Sequence, residues 1–375
     1  MIEREISEQI KLDFHKGKVI VILGARQVGK TTLLDHLVQD QTDILKLNCD
    51  NYDDRVDLEN QTSTALENLI GHHKFVIIDE AQRVKNIGLT LKMIADMKLP
   101  SQILVTGSSS LEISSEINEA ATGRLFEYQL FPLSLRELSK ASSIREEKRL
   151  LENRMIYGMY PEIVTHHSDA KRLLTNLANN YLYKDLLEYK GIKKPEILSK
   201  LIRALALQLG NEVSYHELAQ TVGVDRVTIE SYIDLLEKCF VIFRLSSYSR
   251  NIRNEIKKGK KIYFYDNGIR NALISNFSPL ELRTDIGALW ENLMISERIK
   301  YNVYQNNYAQ LYFWRTQQQQ EIDLIEEKDG NITAYEFKWN ERKRASLPQI
   351  FQNHYPNTTF KIINRENYSE LVNSE

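Results

Sequence analysis

Short apolar runs separated by amphipathic stretches fill the first third of the chain. Residues 18–23 (KVIVIL), 44–47 (ILKL), 75–78 (FVII) and 103–105 are short and mostly apolar, with β-branched side chains in each. Runs of this length suit strands covered on both faces, as in a parallel sheet. The helical patterns between them predict a βαβ-like arrangement. From about residue 142 to 209 the period is helical almost throughout. Residues 217–220, then Gly223, Val224 and Asp225, then 226–237 predict a helix, a tight turn and a second helix. Two strand-like segments follow, 240–245 and 261–265. A helix from about Gly287 opens the last part, with strands predicted at 311–315, 322–326 and 333–339. The glutamines at 317–320 are expected to form a hairpin loop.

A chain of 375 residues with 42% hydrophobic and 27% charged positions has the balance of a soluble protein with several cores. Its net charge of -2 excludes a globally basic nucleic-acid binder, so any such contact must come from a local patch. Two isolated cysteines, Cys49 and Cys239, build neither a disulfide framework nor a zinc site. The charged start, Met1 to Glu5, lacks the apolar core of a signal peptide, and no apolar run is long enough to span a bilayer. The expected address is the cytoplasm, without a membrane partner.

The chemistry begins directly after the first predicted strand. Gly24, Ala25, Arg26, Gln27, Val28, Gly29, Lys30 and Thr31 fit G-x-x-x-x-G-K-[ST] in full, with Thr32 continuing into a helix. Glycines there let backbone N–H groups converge on phosphate oxygens. Lys30 is expected to reach the β- and γ-phosphates of ATP, and the Thr31 hydroxyl to ligate Mg²⁺. Asp79 ends the apolar run at 75–78 and is the second expected Mg²⁺ group, acting through water. Glu80, next to it, is the candidate general base. Ser108 or Ser109, ending the run QILVTGSSS, is a candidate γ-phosphate sensor or simply part of a polar turn. Arg124 is a candidate arginine finger, acting within the chain or across a subunit interface.

The segments GARQVGKTT, FVIIDEAQ, ILVTGSSS, TGRLFEYQLFPLSLREL and YGMYPEIV together resemble a prokaryotic family of AAA-type ATPases. The later segments YLYKDLLEYKGI, KKIYFYDNGIRNALI, GALWENLMISER and LYFWRTQQQQEIDLI agree with it, so the likeness spans nearly the whole chain. The resemblance implies a winged helix after the ATPase core and a C-terminal domain like a restriction endonuclease.

Within the helix–turn–helix, Arg226 and Lys238 are opposed by Asp225, Glu230, Asp234 and Glu237, which argues against reading base edges in a groove. The hairpin after it is basic. Arg244, Arg250, Arg253, Lys257, Lys258, Lys260 and Lys261 face only Glu255. Such a wing suits a phosphate backbone held without sequence readout, or an acidic protein surface. Further on, Glu336 and Lys338 lie two apart in a strand pattern and share a face, and Asp323 sits on the preceding strand. With Glu291 on the helix before them, they match what metal-dependent phosphodiester cleavage needs. Asp323 and Glu336 would hold Mg²⁺, Glu291 would complete the shell and Lys338 would steady the nucleophile or the phosphate, with Arg342, Lys343 and Arg344 nearby to bind phosphate. The alternatives are a salt-bridged surface pair and an inactive binding module on a nuclease scaffold.

The expected architecture is α/β: a P-loop ATPase core with a parallel sheet (1–140), a helical lid (141–210), a winged helix (211–285) and an endonuclease-like α/β domain (286–375). The expected function is ATP hydrolysis driving conformational change, with nucleic acid as client. The alternatives are a nucleotide-gated switch whose C-terminal domain binds protein partners, and an ATP-dependent metal nuclease. Homo-oligomer formation is left open.

Overall fold

The computed structural model describes residues 2–108, 123–188, 194–249 and 259–373. Ser109, Arg250, Arg253, Lys257 and Lys258 lie outside the described residues. The chain divides into two compact units. One holds Met1–Pro132 with Lys238–Phe240, the other Leu133–Glu237 with Val241–Glu375.

In the first unit, β1 (Val19–Leu23), β2 (Ile44–Asn48), β3 (Phe75–Asp79), β4 (Gln102–Gly107) and β5 (Leu125–Gln129) form a sheet in the order β2-β3-β4-β1-β5. All its pairings are parallel. Every residue of β1 and β4 is buried, which is why their sequences carry no alternation. Strand β5, whose LFEYQ pattern gave no sequence signal, is a half-buried edge beside β1. Because β4 lies between β1 and β3, the loop after β1 and the carboxylates ending β3 open on the same end of the sheet.

The second unit begins with the helices Leu135–Ala141, Ile144–Tyr157, Pro161–Thr165, Ala170–Glu188 and Pro195–Leu207, in agreement with the helical period there. Next come β6 (Glu212–Val213) and the helices Tyr215–Val222 and Arg226–Lys238. Gly223, at φ 81°, ends the first of these in the left-handed region, and the Asp225 carboxylate starts the second by accepting from Thr228 N at 2.8 Å. The remaining strands are β7 (Ile242–Ser247), β8 (Lys260–Phe264), β9 (Gln310–Arg315), β10 (Glu321–Lys328), β11 (Asn331–Phe337) and β12 (Thr359–Ile363). One seven-stranded sheet contains them all, in the order β12-β11-β10-β9-β7-β8-β6. The parallel pairing of β7 with β9, through Ser246↔Tyr312 and Ser247↔Phe313, carries the sheet across the boundary expected at 285/286. Over this sheet lies the helix Ile286–Tyr304, whose Trp290, Leu293, Met294 and Ile295 are fully buried.

Candidate functional site

The loop from Gly24 to Lys30 is shaped by its backbone. A Cβ on Gly24 would meet the Leu130 carbonyl oxygen at 2.1 Å, so only glycine fits there. Gly29 sits at φ 95° as the residue before the helix Lys30–Leu37, and Gln27 takes φ 61°. Ala25 and Val28 are buried, while Thr31 and Thr32 are exposed on the first turn of that helix. The Lys30 side chain is 4% exposed, and its Nζ donates to Gly24 O at 2.9 Å and Ala25 O at 3.0 Å. A positive charge is thereby held inside the loop, beside the partial positive charge of the helix N-terminus. Arg4, unremarked in the sequence, braces the loop: it donates to Val28 O at 2.7 Å and to Phe131 O at 2.6 Å.

One helix and two strands meet at Asp79. Its Oδ2 accepts from Thr31 Oγ1 at 2.8 Å and its Oδ1 from Thr106 Oγ1 on β4. The adjacent hydroxyl and carboxylate suit a Mg²⁺ that keeps most of its waters. Glu80 follows in the left-handed region, at φ 53°, and its N–H is held by Asp79 Oδ1 at 3.2 Å and Thr106 Oγ1 at 3.1 Å. The Glu80 carboxylate accepts from Gln82 Nε2. Gln82 also binds Ser108, which is 3% exposed at the end of β4. Sequence reasoning passed over Gln82, although it stands in the quoted DEAQ.

For Arg124 the expected finger role within the chain is corrected by its position. It precedes β5, and its carbonyl accepts from Val19 N at 3.2 Å where β1 starts. Glycine 24 follows the other end of β1. Five strand residues intervene, about 16 Å at ~3.3 Å per residue. The guanidinium is instead paired with Asp96. Parallel strands put Arg124 at the edge away from the phosphate loop, so a finger role within this chain is excluded.

In the second unit, the register Leu324↔Tyr335 sets Asp323 across from Glu336. Strand β10 carries a bulge here. Ile322 pairs with Trp314 and Ile325 with Tyr312, leaving Asp323 and Leu324 together opposite Phe313. Both acids face Lys338, whose Nζ lies 2.5 Å from Glu336 Oε1 and 4.0 Å from Asp323 Oδ2. Asp323 Oδ2 also accepts from Phe337 N at 2.8 Å. Burial first, and Glu336 second, push the Asp323 carboxyl up to about 6.

Glu291 is close by but differently engaged. Its Oε1 accepts from Lys261 Nζ at 3.0 Å and from Tyr263 Oη at 2.5 Å, and burial pushes its carboxyl up to about 7. Lys261 also pairs with Glu321. Among the described residues, no three His, Cys, Asp or Glu side chains gather as a metal site. The expected three-carboxylate shell is therefore not assembled, because a buried lysine and a tyrosine occupy Glu291. Lys261 and Glu321 are the residues that sequence reasoning did not bring to this cluster.

The same lysine corrects the basic wing. Lys261 is 1% exposed, and Arg244 is paired with Asp234 at 2.8 Å and with Glu237. Both cations are spent on internal carboxylates and are not presented to a phosphate backbone.

Residues 16–139 match the AAA domain family, residues 148–280 a domain of unknown function (DUF8612) and residues 286–370 another (DUF4143). An uncharacterized protein of Mycobacterium tuberculosis is 28% identical over 353 residues, covering 92% of this chain and 75% of its own. One of Haemophilus influenzae is 27% identical over 296 residues, covering 73% and 74%. Among solved structures, the Walker-type ATPase paby2304 of Pyrococcus abyssi aligns with a TM-score of 0.51 at 15% identity, over 73% of this chain and 96% of that one. The chain thus contains an AAA-type P-loop ATPase fold. Among the described residues, no helix is long and apolar enough to cross a membrane.

Proposed function

We propose that this chain binds ATP with Mg²⁺ in the loop from Gly24 to Thr32, hydrolyses it, and uses the cycle to change conformation. The observation that carries the reading is the 2.8 Å contact between Thr31 Oγ1 and Asp79 Oδ2, beside the buried Lys30 ammonium. Thr31 and Asp79 would hold the Mg²⁺, which would supply positive charge against that developing on the phosphates. Loop N–H groups and Lys30 hold the phosphates, Thr31 and Asp79 orient the metal's ligand sphere, and Glu80 takes the proton of the attacking water. The test is phosphate release from ATP by the purified chain, with and without Mg²⁺. Metal-dependent release that Lys30→Ala abolishes supports the reading, and its absence in the wild type refutes it.

The client in this reading is nucleic acid, contacted through its phosphates by the cations of the hairpin that remain after Arg244 and Lys261 are set aside: Arg250, Arg253, Lys257, Lys258 and Lys260. Stimulation of ATP hydrolysis by DNA of unrelated sequences, weakening as salt rises, is the expected result. A rate indifferent to DNA favours the nucleotide-gated switch with protein partners instead.

A second reading, a metal-dependent nuclease, is supported by the convergence of Asp323 and Glu336 on Lys338. It expects nicking of DNA in Mg²⁺ or Mn²⁺ that disappears in Asp323→Ala and Glu336→Ala. Equal nicking by the variants, or none by the wild type, removes it.

A further inference from the structure

We infer that Gln82 is a positioning residue that ties the orientation of Glu80 to Ser108, so that the end of β4 governs when the base is aimed. The inference rests on the ATPase reading above.

The backbone of Glu80 is fixed from one side: its N–H is shared between Asp79 Oδ1 and Thr106 Oγ1. Nothing in that arrangement sets the direction of the side chain. Gln82 does so. It sits in the short turn Ala81–Arg83, directly after the left-handed Glu80. Its Oε1 accepts from Ser108 N at 3.2 Å, and its Nε2 donates to Ser108 Oγ at 2.8 Å and to Glu80 Oε2 at 2.5 Å. The orientation of the amide follows from chemistry. The backbone N–H of Ser108 can only donate, so the carboxamide oxygen must face it, which leaves both N–H bonds for Ser108 and Glu80. Three of the four hydrogen-bonding positions of Gln82 are thus committed to two residues from different strands.

Ser108 itself adjoins the phosphate loop. Leu23 of β1 pairs with Gly107 of β4, and Gly24 N donates to Gly107 O at 3.3 Å. A hydroxyl at this point can donate to a terminal phosphate oxygen while accepting from Gln82. A phosphate contact at Ser108 therefore passes through one amide to the carboxylate that activates water. Asparagine, a methylene shorter, cannot span both partners. Methionine matches the length of glutamine but lacks the amide.

The experiment compares steady-state ATP hydrolysis by the full chain in wild type, Gln82→Met, Glu80→Gln and the double variant, with nucleotide affinity measured in each. The expected result is a kcat lowered about 10- to 100-fold in Gln82→Met, with KM for ATP and nucleotide affinity within about 2-fold of wild type. In the Glu80→Gln background, Gln82→Met should cost no more than about 2-fold, because a residue acting through Glu80 has nothing left to position. Losses that multiply in the double variant overturn the inference, as does a wild-type kcat in Gln82→Met or a KM that rises as kcat falls. If Gln82→Met fails to bind nucleotide, Ser108→Ala removes the hydroxyl half of the link while Ser108 N still donates to Gln82, and it must lower kcat and be silent behind Glu80→Gln; any other result overturns the inference. A wild type that hydrolyses no ATP refutes the ATPase reading, whereas hydrolysis indifferent to Gln82 refutes only this one.

Discussion

The phosphate loop and the C-terminal carboxylate cluster hold their charges in opposite ways. At the loop, one buried cation, Lys30, donates to two neutral carbonyls, Gly24 O and Ala25 O. Exposed Thr31 and Thr32 follow it on the first turn of the helix, whose N-terminus favours an anion. At the cluster every charge is already opposed: Lys338 by Glu336 and Asp323, Lys261 by Glu291 and Glu321. A phosphate entering the first site meets an ammonium held by carbonyl dipoles at the N-terminus of a helix. A ligand entering the second must displace ion pairs formed in a largely dry interior, where removing one partner is costly. This contrast gives the loop the better claim to chemistry and the cluster a large share in stability.

Removing Lys30 should have the largest effect. Lys30→Ala is expected to weaken ATP binding at least about 100-fold, about 2.8 kcal/mol at 1.4 kcal/mol per decade, while thermal unfolding changes little. Fluorescent-nucleotide titration measures it. Lys261→Met should act on the other side of the comparison, leaving nucleotide affinity alone but destabilising the fold by about 3–5 kcal/mol, because Glu291 and Glu321 lose a buried partner. Urea unfolding tests this, and Glu291→Gln in the same background should recover part of the loss.

A smaller effect concerns pH. The Asp323 carboxyl is raised to about 6 from 3.8, so the folded chain binds that proton more tightly than the unfolded chain. Its contribution to stability is therefore present at low pH and is lost as pH rises through about 4 to 6. Asp323→Asn cannot lose it. The stability of Asp323→Asn relative to wild type should grow over that range and then level off, as urea midpoints at half-unit steps will show. The smallest effect is expected for Arg124→Ala, whose exposed pair with Asp96 is worth ~0–1 kcal/mol. Under conditions where the chain is monomeric, its ATP turnover should stay within about 2-fold of wild type.

The phosphate loop could be read from the sequence because its chemistry is contiguous: Gly24 to Thr31 needs only a strand before it and a helix after it. Strands β1 and β4 were visible as unbroken β-branched runs for the same reason they are buried on both faces. Strand β5 was not, because an edge tolerates Glu127 and Gln129. The pairing of β7 with β9 left no local trace, since its partners are some 66 residues apart. Glu336 and Lys338 were read on one face from their i, i+2 spacing, with Asp323 on the preceding strand, but Lys261 was counted with the basic wing. A signal was present. Lys260 and Lys261 are neighbours in a strand, so one of them must turn inward. Gln82 went unnoticed because its role depends on Ser108, brought beside it by strand order. The in-chain finger role of Arg124 failed because a motif does not state which end of a parallel strand it precedes.

The central claim is that Glu80, held beside the Thr31–Asp79 contact, makes this chain an ATP hydrolase. The most direct measurement is single-turnover ATP cleavage by wild type and Glu80→Gln at saturating Mg²⁺, with nucleotide affinity determined on the same samples. The account predicts cleavage by the wild type, affinity within about 2-fold in the variant, and a cleavage rate there at least about 100-fold lower. Equal cleavage rates in the two proteins, or tight ATP binding with no cleavage by either, would contradict it.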